Sequence, residues 1–369
     1  MLQRFEVENF KGFREKLIFD LSARDYAYNA ELVKNGIVNK ALVYGKNGTG
    51  KSNLGIALFD IIYHLTDTQR MPAQYLVNYL NLQTGKPEIL FRYQFCFDND
   101  IVDYSYAKIS VDDLLYEKLD VNGQNVLYFD YRDRSRNYMD MQLAGLLNFD
   151  LLIDNKLSVI KFIYKNTPTN TVPYISRLVS FCEGMLWYRS LSDGNMYSGL
   201  STGRNRLSEI LYESGKLSEF REFLKQNGID YDLKFENVNG SHELMVCFAH
   251  GKAPFDMIAS TGTNTLLLFF TWSLYYKRVK FLFIDEFDAF LHYESASELI
   301  KFLNRQTLFQ TVVTTHNTYL MQNSFTRPDC CFIMTGNRVK NLCSCTRKEI
   351  REAHNLEKMY INGAFSNEQ

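Results

Sequence analysis

The sequence predicts an α/β fold: a glycine-rich phosphate-binding loop set between a strand and a helix, an antiparallel β layer beside it, and an inserted, mostly helical lobe. Three observations carry that expectation. Gly45, Lys46, Asn47, Gly48, Thr49, Gly50, Lys51 and Ser52 fit the P-loop pattern G-x-x-x-x-G-K-[ST], between the apolar run 41–44 and a helical pattern that begins at Asn53. From residue 88 to residue 131 apolar and polar residues alternate in successive short runs. Between about residues 132 and 240 the pattern turns mostly helical, so 1–369 reads as a single domain with 132–240 inserted into it.

Each element has its own warrant. Residues 2–10 mix apolar and charged side chains in near alternation, and a second run, 16–21, follows a turn at Gly12, which reads as an opening β-hairpin. Leu54, Ala57, Leu58, Ile61 and Ile62 recur at helical spacing after the glycine-rich loop. Ile89, Phe91, Tyr93, Phe95 and Phe97 share one strand face, with Leu90, Arg92, Gln94, Cys96 and Asp98 on the other. Turn signals at Asp98-Asn99-Asp100 and Asn122-Gly123 separate three further runs, 102–109, 114–121 and 125–131, giving an antiparallel meander. Within the insertion the clearest helical stretches are 173–187 and 217–226, with polar joints at 192–205 and strand-like alternation at 231–235; a further alternating run follows at 243–248. No heptad run makes a coiled-coil arm. Residues 280–284 form a short, mostly apolar strand of the kind buried in parallel sheets, and 309–314 a third such strand.

The glycines let the loop backbone curl so that successive N–H groups face inward, while the following helix turns its positive end to the same point. Lys51 is expected to reach the β and γ phosphates of a nucleotide and the Ser52 hydroxyl to ligate Mg²⁺.

Composition narrows the classes. Basic residues number 41 against 42 acidic ones, so no global field draws the chain to nucleic acid or an anionic membrane, and any DNA contact needs a local patch. Seven cysteines without framework spacing and a start at Met1-Leu2-Gln3-Arg4 without a signal pattern give a cytoplasmic expectation. The longest apolar run, 266–276, is interrupted by Thr271 and Ser273 and reads as a buried helix, leaving no membrane segment.

Three further constellations carry chemistry. Phe281-Leu282-Phe283-Ile284 runs into Asp285-Glu286, a Walker B pattern; the strand is expected beside the P-loop strand, with Asp285 in the Mg²⁺ shell and Glu286 aimed at the attacking water. The strand 309–314 ends in Thr315-His316-Asn317, which makes His316 a γ-phosphate sensor candidate, since a neutral imidazole can hydrogen-bond the transferring group. Ser260-Thr261-Gly262-Thr263 sets small hydroxyl side chains and a glycine at the start of the helix from Asn264, either an anion-binding end or an ordinary N-cap.

In this order the four elements resemble the ABC-type ATPase heads of the SMC, RecF and OLD group, where Ser-x-Gly-[Gln/Thr] is the signature. Asn9-Phe10-Lys11-Gly12-Phe13 looks like their N-F-[KR]-[SG]-F opening, and the loop carries their G-x-N-G-x-G-K-S form. The tail from Arg351 through Tyr360, followed by Asn362-Gly363-Ala364-Phe365, looks like the end of the small AAA/ABC ATPases of bacterial phage-defence loci, the RloA and AbiL type. The resemblance covers the ends of the chain well and the middle poorly. It implies a slow ATPase with ATP and Mg²⁺ as cofactors, and an ATP site made by Gly45 through Asn53. It also implies a head-to-tail homodimer or higher oligomer, in which Ser260, Thr261, Gly262 and Thr263 act in trans. For the phage-defence type it implies a nucleotide switch controlling a separate effector, often a nuclease or an RNA-targeting protein.

The departures matter. Ser-Thr-Gly-Thr replaces Ser-Gly-Gly-Gln, so a weaker γ-phosphate contact is expected, and Gln94 is the candidate for the Q-loop. The segment 317–369 is too short for the Toprim domain of OLD nucleases, so the chain is not expected to cut nucleic acid. Cys330-Cys331 and Cys343-x-Cys345 lack the C-x₂₋₄-C spacing of structural zinc and read as buried thiols. Arg132, Arg134 and Arg136 with Lys156, Lys161 and Lys165 are either a nucleic-acid patch or a solvated face. The insertion and the tail 347–369 are the expected docking elements for a partner, with a tail folded back on the core as the other reading. A RecF-like DNA-repair ATPase and an ATP-binding scaffold without turnover stand as alternative functions.

Overall fold

The structure is a computed structural model that describes residues 1–68, 76–140, 143, 154–168, 170–189, 196–200 and 206–365. Parts of the joints at 192–205 and the last residues of the tail lie outside the described residues.

The chain opens with β1 (Leu2–Glu8) and β2 (Leu17–Asp20), paired as an antiparallel hairpin. Short β3 (Val33–Lys34) and β4 (Ile37–Val38) lead into β5 (Lys40–Tyr44), which feeds the glycine-rich loop and the helix Lys51–Leu58. A second short helix, Asp60–Leu65, continues its direction. Then come β6 (Ile89–Phe97), β7 (Asp100–Lys108), β8 (Leu114–Val121) and β9 (Gln124–Asp130), each antiparallel to the next, with β10 (Tyr138–Met139) at the edge. Asn122 and Gly123 both have positive φ, 52° and 79°, the two-residue turn that matches strand twist. Because β1 pairs with β6, the opening hairpin and the meander form one seven-stranded sheet, ordered β10-β9-β8-β7-β6-β1-β2.

Helices Val159–Asn166 and Pro173–Glu183 precede β11 (Met185–Arg189) and β12 (Tyr197–Gly199). Helices Leu207–Ser214 and Leu217–Gln226 precede a small antiparallel sheet of β13 (Asp232–Val238), β14 (Ser241–Phe248) and β15 (Gly251–Pro254). The helix Thr261–Ser273, β16 (Phe281–Asp285), the helix Tyr293–Asn304 and β17 (Gln310–Thr315) follow. The described chain ends through β18 (Cys331–Thr335), β19 (Arg338–Asn341) and the helix Leu356–Ile361.

The central sheet runs β12-β11-β16-β17-β5-β18-β19, parallel from β11 to β18 with an antiparallel strand at each edge. Its strands are apolar on both faces because both are covered. Ala41, Val43, Phe281, Phe283 and Trp187 face a core shared with the antiparallel layer and the helices of 51–65, 159–166 and 173–183. Leu42, Tyr44, Leu282, Ile284 and Tyr188 face a second core under the helices of 207–226, 261–273 and 293–304. The period of two along each strand thus divides one sheet between two cores. Gln310 ties the layers: its Nε2 donates to the Leu2 and Val38 carbonyls, both at 2.8 Å, and its Oε1 accepts from Leu2 N–H at 2.9 Å.

Two expectations change. The Asp-Glu strand β16 does not lie beside the P-loop strand β5; β17 separates them, pairing with both. The helix expected over 173–187 ends at Gly184, and Met185 to Arg189 form β11 in the central sheet, registered residue for residue with β16. Apolar Met185-Leu186-Trp187-Tyr188 continues the helical pattern in composition, so local period alone does not mark the switch. The segment 132–240 is therefore threaded into the sheet, its helices Val159–Asn166 and Pro173–Glu183 on one face and Leu207–Ser214 and Leu217–Gln226 on the other.

Candidate functional site

The parallel strands β5, β16 and β17 end together, and the loop after β5 curls over that end. Gly48 and Gly50 take φ of 77° and 98°, a region open to glycine without strain. A Cβ on Gly45 would meet Thr49 Oγ1 at 2.5 Å, and one on Gly55 would meet the Phe283 ring at 2.6 Å, so glycine also sets how closely the loop closes and how closely its helix lies on β16. Lys51 is 5% exposed and folds its ammonium back onto the loop, donating to the Gly45 carbonyl at 2.6 Å and the Lys46 carbonyl at 3.1 Å. Burial lowers its pKa, and the charges of Asp285, Glu286 and Asp288 oppose that shift. The Lys51 ammonium is thus already within the field of the three carboxylates.

His316 reaches the same ammonium, with Nδ1 3.0 Å from Lys51 Nζ. The same Nδ1 lies 3.3 Å from the Gly45 carbonyl, so the ring meets both the loop backbone and the Lys51 ammonium.

At the end of β16, Asp285 is fully buried and accepts from the Thr314 hydroxyl at 2.8 Å through Oδ1. Its Oδ2 is buried without a hydrogen bond of good geometry, with the Ser52 hydroxyl near the carboxylate and the Arg189 guanidinium 3.8 Å away. Burial raises the pKa of Asp285, while Ser52, Thr314 and Arg189 pull it back. A buried, under-satisfied carboxylate oxygen beside a hydroxyl is a hard-oxygen donor pair that fits Mg²⁺, whose remaining ligands come from phosphate and water. Ser52 and Asp285 would hold it.

Glu286 leaves the strand with φ of 50°, a left-handed conformation unusual for a residue with a Cβ. Its N–H donates to Thr314 Oγ1 at 2.8 Å, so one threonine hydroxyl orients both acidic residues. The Glu286 carboxylate is gripped by Arg189, with Nη2 2.8 Å from Oε1 and Nε 3.2 Å from Oε2. Asp288 accepts from the Thr315 hydroxyl at 2.8 and 2.9 Å, and burial raises its pKa too.

The opening motif is a strut under the loop. Phe10 and Phe13 exchange backbone hydrogen bonds, Asn9 Nδ2 donates to the Lys86 and Glu88 carbonyls, and the Phe13 ring sits where a Gly50 Cβ would be 2.9 Å away. Lys11, Gly12 and Asn53 line a cleft of about 400 Å³ shared with residues 77–83, next to the start of the P-loop helix. Ser260 caps the helix Thr261–Ser273, accepting from Thr263 N–H at 3.1 Å. Ser260 and Thr261 are exposed, and a Cβ on Gly262 would lie 2.6 Å from the Phe290 carbonyl oxygen. The hydrogen bonds recorded for Ser260 and Thr263 stay within their own cap and join neither to the Lys51 cluster.

The structure therefore gathers Lys51, Ser52, Asp285, Glu286 and His316 at one end of the sheet, while Ser260 and Thr261 are exposed and Thr263 is buried in its own cap. Sequence reasoning missed Arg189, Thr314, Thr315 and Asp288. The two threonines and Asp288 were within reach, being next to His316 and three residues after Asp285. Arg189 carried no signal, because the strand that places it reads as helix.

Gln94 lies on the outer face of the antiparallel layer, its Nε2 3.5 Å from Asp103 Oδ2, and not with the Lys51 cluster. Of the basic residues on the insertion, Arg132 and Arg136 pair with Asp130, and Lys161 and Lys165 with Asp67. Arg132 also meets Glu88 and Arg136 also meets Asp133, so each of these four cations has at least one carboxylate partner. Cys330 and Cys331 are buried, with burial pushing both thiols up, and Cys343 lies 3.2 Å from the Tyr26 hydroxyl. Among the described residues no group of three or more His, Cys, Asp or Glu is placed to hold a metal, and no helix is long and apolar enough to cross a membrane.

A P-loop at the carboxyl end of a parallel sheet, a His-bearing strand between the P-loop and Asp-Glu strands, an antiparallel layer on one face and a Ser-capped helix before the Asp-Glu strand give the chain the fold of an ABC-type ATPase head. Residues 150–322, under half of the chain, match the family model described as "AAA domain, putative AbiEii toxin, Type IV TA system". Solved structures similar to the chain include the SMC head domain from Thermotoga maritima, at 13% identity over 92% of this chain and 97% of that one, with a TM-score of 0.42. An Smc head domain with an extended coiled coil, bound to the C-terminal domain of ScpA derived from Pyrococcus furiosus, is 14% identical over 92% and 95%, with a TM-score of 0.44. The recombination mediator protein RecF with ATP is 12% identical over 93% and 99%, with a TM-score of 0.41. No curated protein matches the chain.

Proposed function

We propose that the chain binds ATP with Mg²⁺, hydrolyses it slowly, and uses the cycle as a switch on a separate effector. The observation that carries this reading is the convergence of Lys51, Asp285, Glu286 and His316 on the end of one sheet. The loop N–H groups and Lys51 bind the phosphates, the Lys11–Asn53 cleft lies where base and ribose would extend, and His316 donates to the γ phosphate. Ser52 and Asp285 would hold Mg²⁺, which would supply charge neutralisation at the phosphates. Glu286 takes the proton of the attacking water. The exposed Ser260 and Thr261, at the start of the capped helix, are the surface by which a second copy would close over the nucleotide.

The family description, a putative toxin of a toxin–antitoxin system, supports a role beside a partner, and the sequence resemblance to phage-defence ATPases supports the same direction. The tail supplies little exposed apolar surface for that partner: Leu356 and Phe365 are buried, Tyr360 packs on Tyr44 with ring centroids 4.9 Å apart, and among its described large apolar side chains Ile361 is the exposed one, at 67%. The insertion is the better candidate.

The test is thermal protection. At about a thousand times its Kd a ligand adds ~4 kcal/mol of stability, so ATP with Mg²⁺ should raise the melting temperature of the native chain and leave Lys51→Ala unmoved; a full shift in the mutant overturns the reading. For the trans contact, Thr261→Arg is the better probe than a change at Gly262, where any side chain meets the Phe290 carbonyl. Glu286→Gln with ATP should gain mass by light scattering, and adding Thr261→Arg should reverse it.

A further inference from the structure

The reaction as proposed has a water oxygen bonding to the γ phosphorus while the bond to the ADP oxygen breaks, the water's proton passing to Glu286. In the structure that carboxylate is occupied. Arg189 and Asp285 are paired residue for residue across β11 and β16, which sets the arginine beside the Asp-Glu pair at the carboxyl end of the sheet. From there its guanidinium contacts both Glu286 oxygens, at 2.8 and 3.2 Å, and stands 3.8 Å from Asp285 Oδ2. A carboxylate that accepts from both prongs of a guanidinium is a poorer base for water, and the same fork fits phosphate oxygens equally well. Lys51, which is aimed at the triphosphate, feels the charges of Asp285 and Glu286, so the γ phosphate would arrive within this same cluster. The Arg189 side chain is 23% exposed and belongs to neither hydrophobic core.

We propose that Arg189 is a positioning residue that holds Glu286 in check until the γ phosphate of a bound triphosphate competes for its guanidinium, which frees Glu286 to act as base. This rests on the ATP-binding reading above. It makes Arg189 a sensor of ATP against ADP, built from the strand that the insertion contributes to the sheet.

The experiment measures affinity for ATP and for ADP, each with Mg²⁺, by displacement of a fluorescent nucleotide from the full chain. Arg189→Met is expected to lower the ATP-to-ADP affinity ratio about tenfold with ADP affinity kept, and Arg189→Lys, which keeps charge but loses the fork, to fall between. Glu286→Gln weakens the resting pair, so it should bind ATP about tenfold more tightly than the native chain, and Arg189→Met placed in that background should remove the gain. Nucleotide-free melting curves establish that each variant is folded; if Arg189→Met is not, Arg189→Lys with and without Glu286→Gln carries the same comparison. An unchanged ATP-to-ADP ratio in folded Arg189 variants, or a Glu286→Gln gain that survives loss of the arginine, overturns the inference while leaving ATP binding intact. A native chain that binds neither nucleotide overturns the ATP reading itself, and this inference with it.

Discussion

Two clusters of buried charge in this molecule are built differently. Under the antiparallel layer, Asp60 pairs with Lys108 at 2.6 Å, both fully buried, and the carboxylate also accepts from the Tyr79 and Tyr106 hydroxyls at 2.5 and 2.9 Å. Nearby Glu117 accepts from Ser158, Tyr104 and Tyr131 hydroxyls and from Val159 N–H. Lone pairs there are filled by fixed donors, which is what a carboxylate in a low-dielectric core requires. At the carboxyl end of the central sheet, Asp285 keeps an oxygen without a hydrogen bond, Glu286 is held by an arginine that also suits phosphate, and Lys51 rests on its own loop's carbonyls. One cluster is closed; the other keeps a carboxylate oxygen without a hydrogen bond. The difference separates a charge that staples the helix of 60–65 to the β layer from charges that fixed donors satisfy less completely.

That contrast can be broken most easily from the closed side. Lys108→Met leaves the Asp60 carboxylate buried without its cation, and removing one partner of such a pair costs about 3–5 kcal/mol; chemical denaturation should show a loss of that order with nucleotide affinity per folded molecule unchanged. A loss under about 1 kcal/mol would mean the tyrosine hydroxyls suffice and the pair is not the staple.

The open side should respond in the opposite sense. Burial raises the pKa of Asp285, so its charged form is disfavoured in the folded chain and its contribution to stability declines as pH rises through the folded value. Asp285→Asn is therefore expected to stabilise the nucleotide-free protein at neutral pH, by on the order of 1 kcal/mol, and the gain should vanish at pH below the ordinary aspartate value, where both states are protonated. The same variant should lose its protection by ATP with Mg²⁺. Destabilisation at pH 7 would show that Asp285 belongs with the closed kind.

A separate pH test concerns Lys40, buried at the opposite end of the P-loop strand. Lys40 donates to the Phe309 carbonyl at 2.7 Å and to Thr311 Oγ1 at 3.0 Å, and burial lowers its pKa to about 7. Between that value and the ordinary 10.5 the unfolded chain carries a proton that the folded chain lacks, so stability should rise with pH across this window. Lys40→Met should flatten that rise. A slope unchanged by the mutation would mean that Lys40 stays charged in the core.

Several features were legible in the amino-acid sequence because each depends on residues adjacent in the chain. The glycine spacing from Gly45 to Ser52, the alternation from Ile89 to Phe97, the Asn122-Gly123 turn and the run of apolar residues into Asp285-Glu286 all express local geometry: a curl, a pleat, a hairpin, a buried strand end. His316 at the close of β17 belongs with them. Lateral arrangement has no local period, and there the tertiary structure decided. Nothing near Lys40 to Tyr44 encodes that β17 lies between that strand and β16, nor that Thr314 on that intervening strand hydrogen-bonds both Asp285 and Glu286. After Glu183-Gly184 the apolar content of Pro173 to Cys182 resumes in Met185 to Tyr188, and it is the pairing with the β16 edge that makes those residues a strand. Arg189 meets Glu286, 97 residues away, because β11 and β16 run parallel in register; that contact is a property of the sheet and not of either segment.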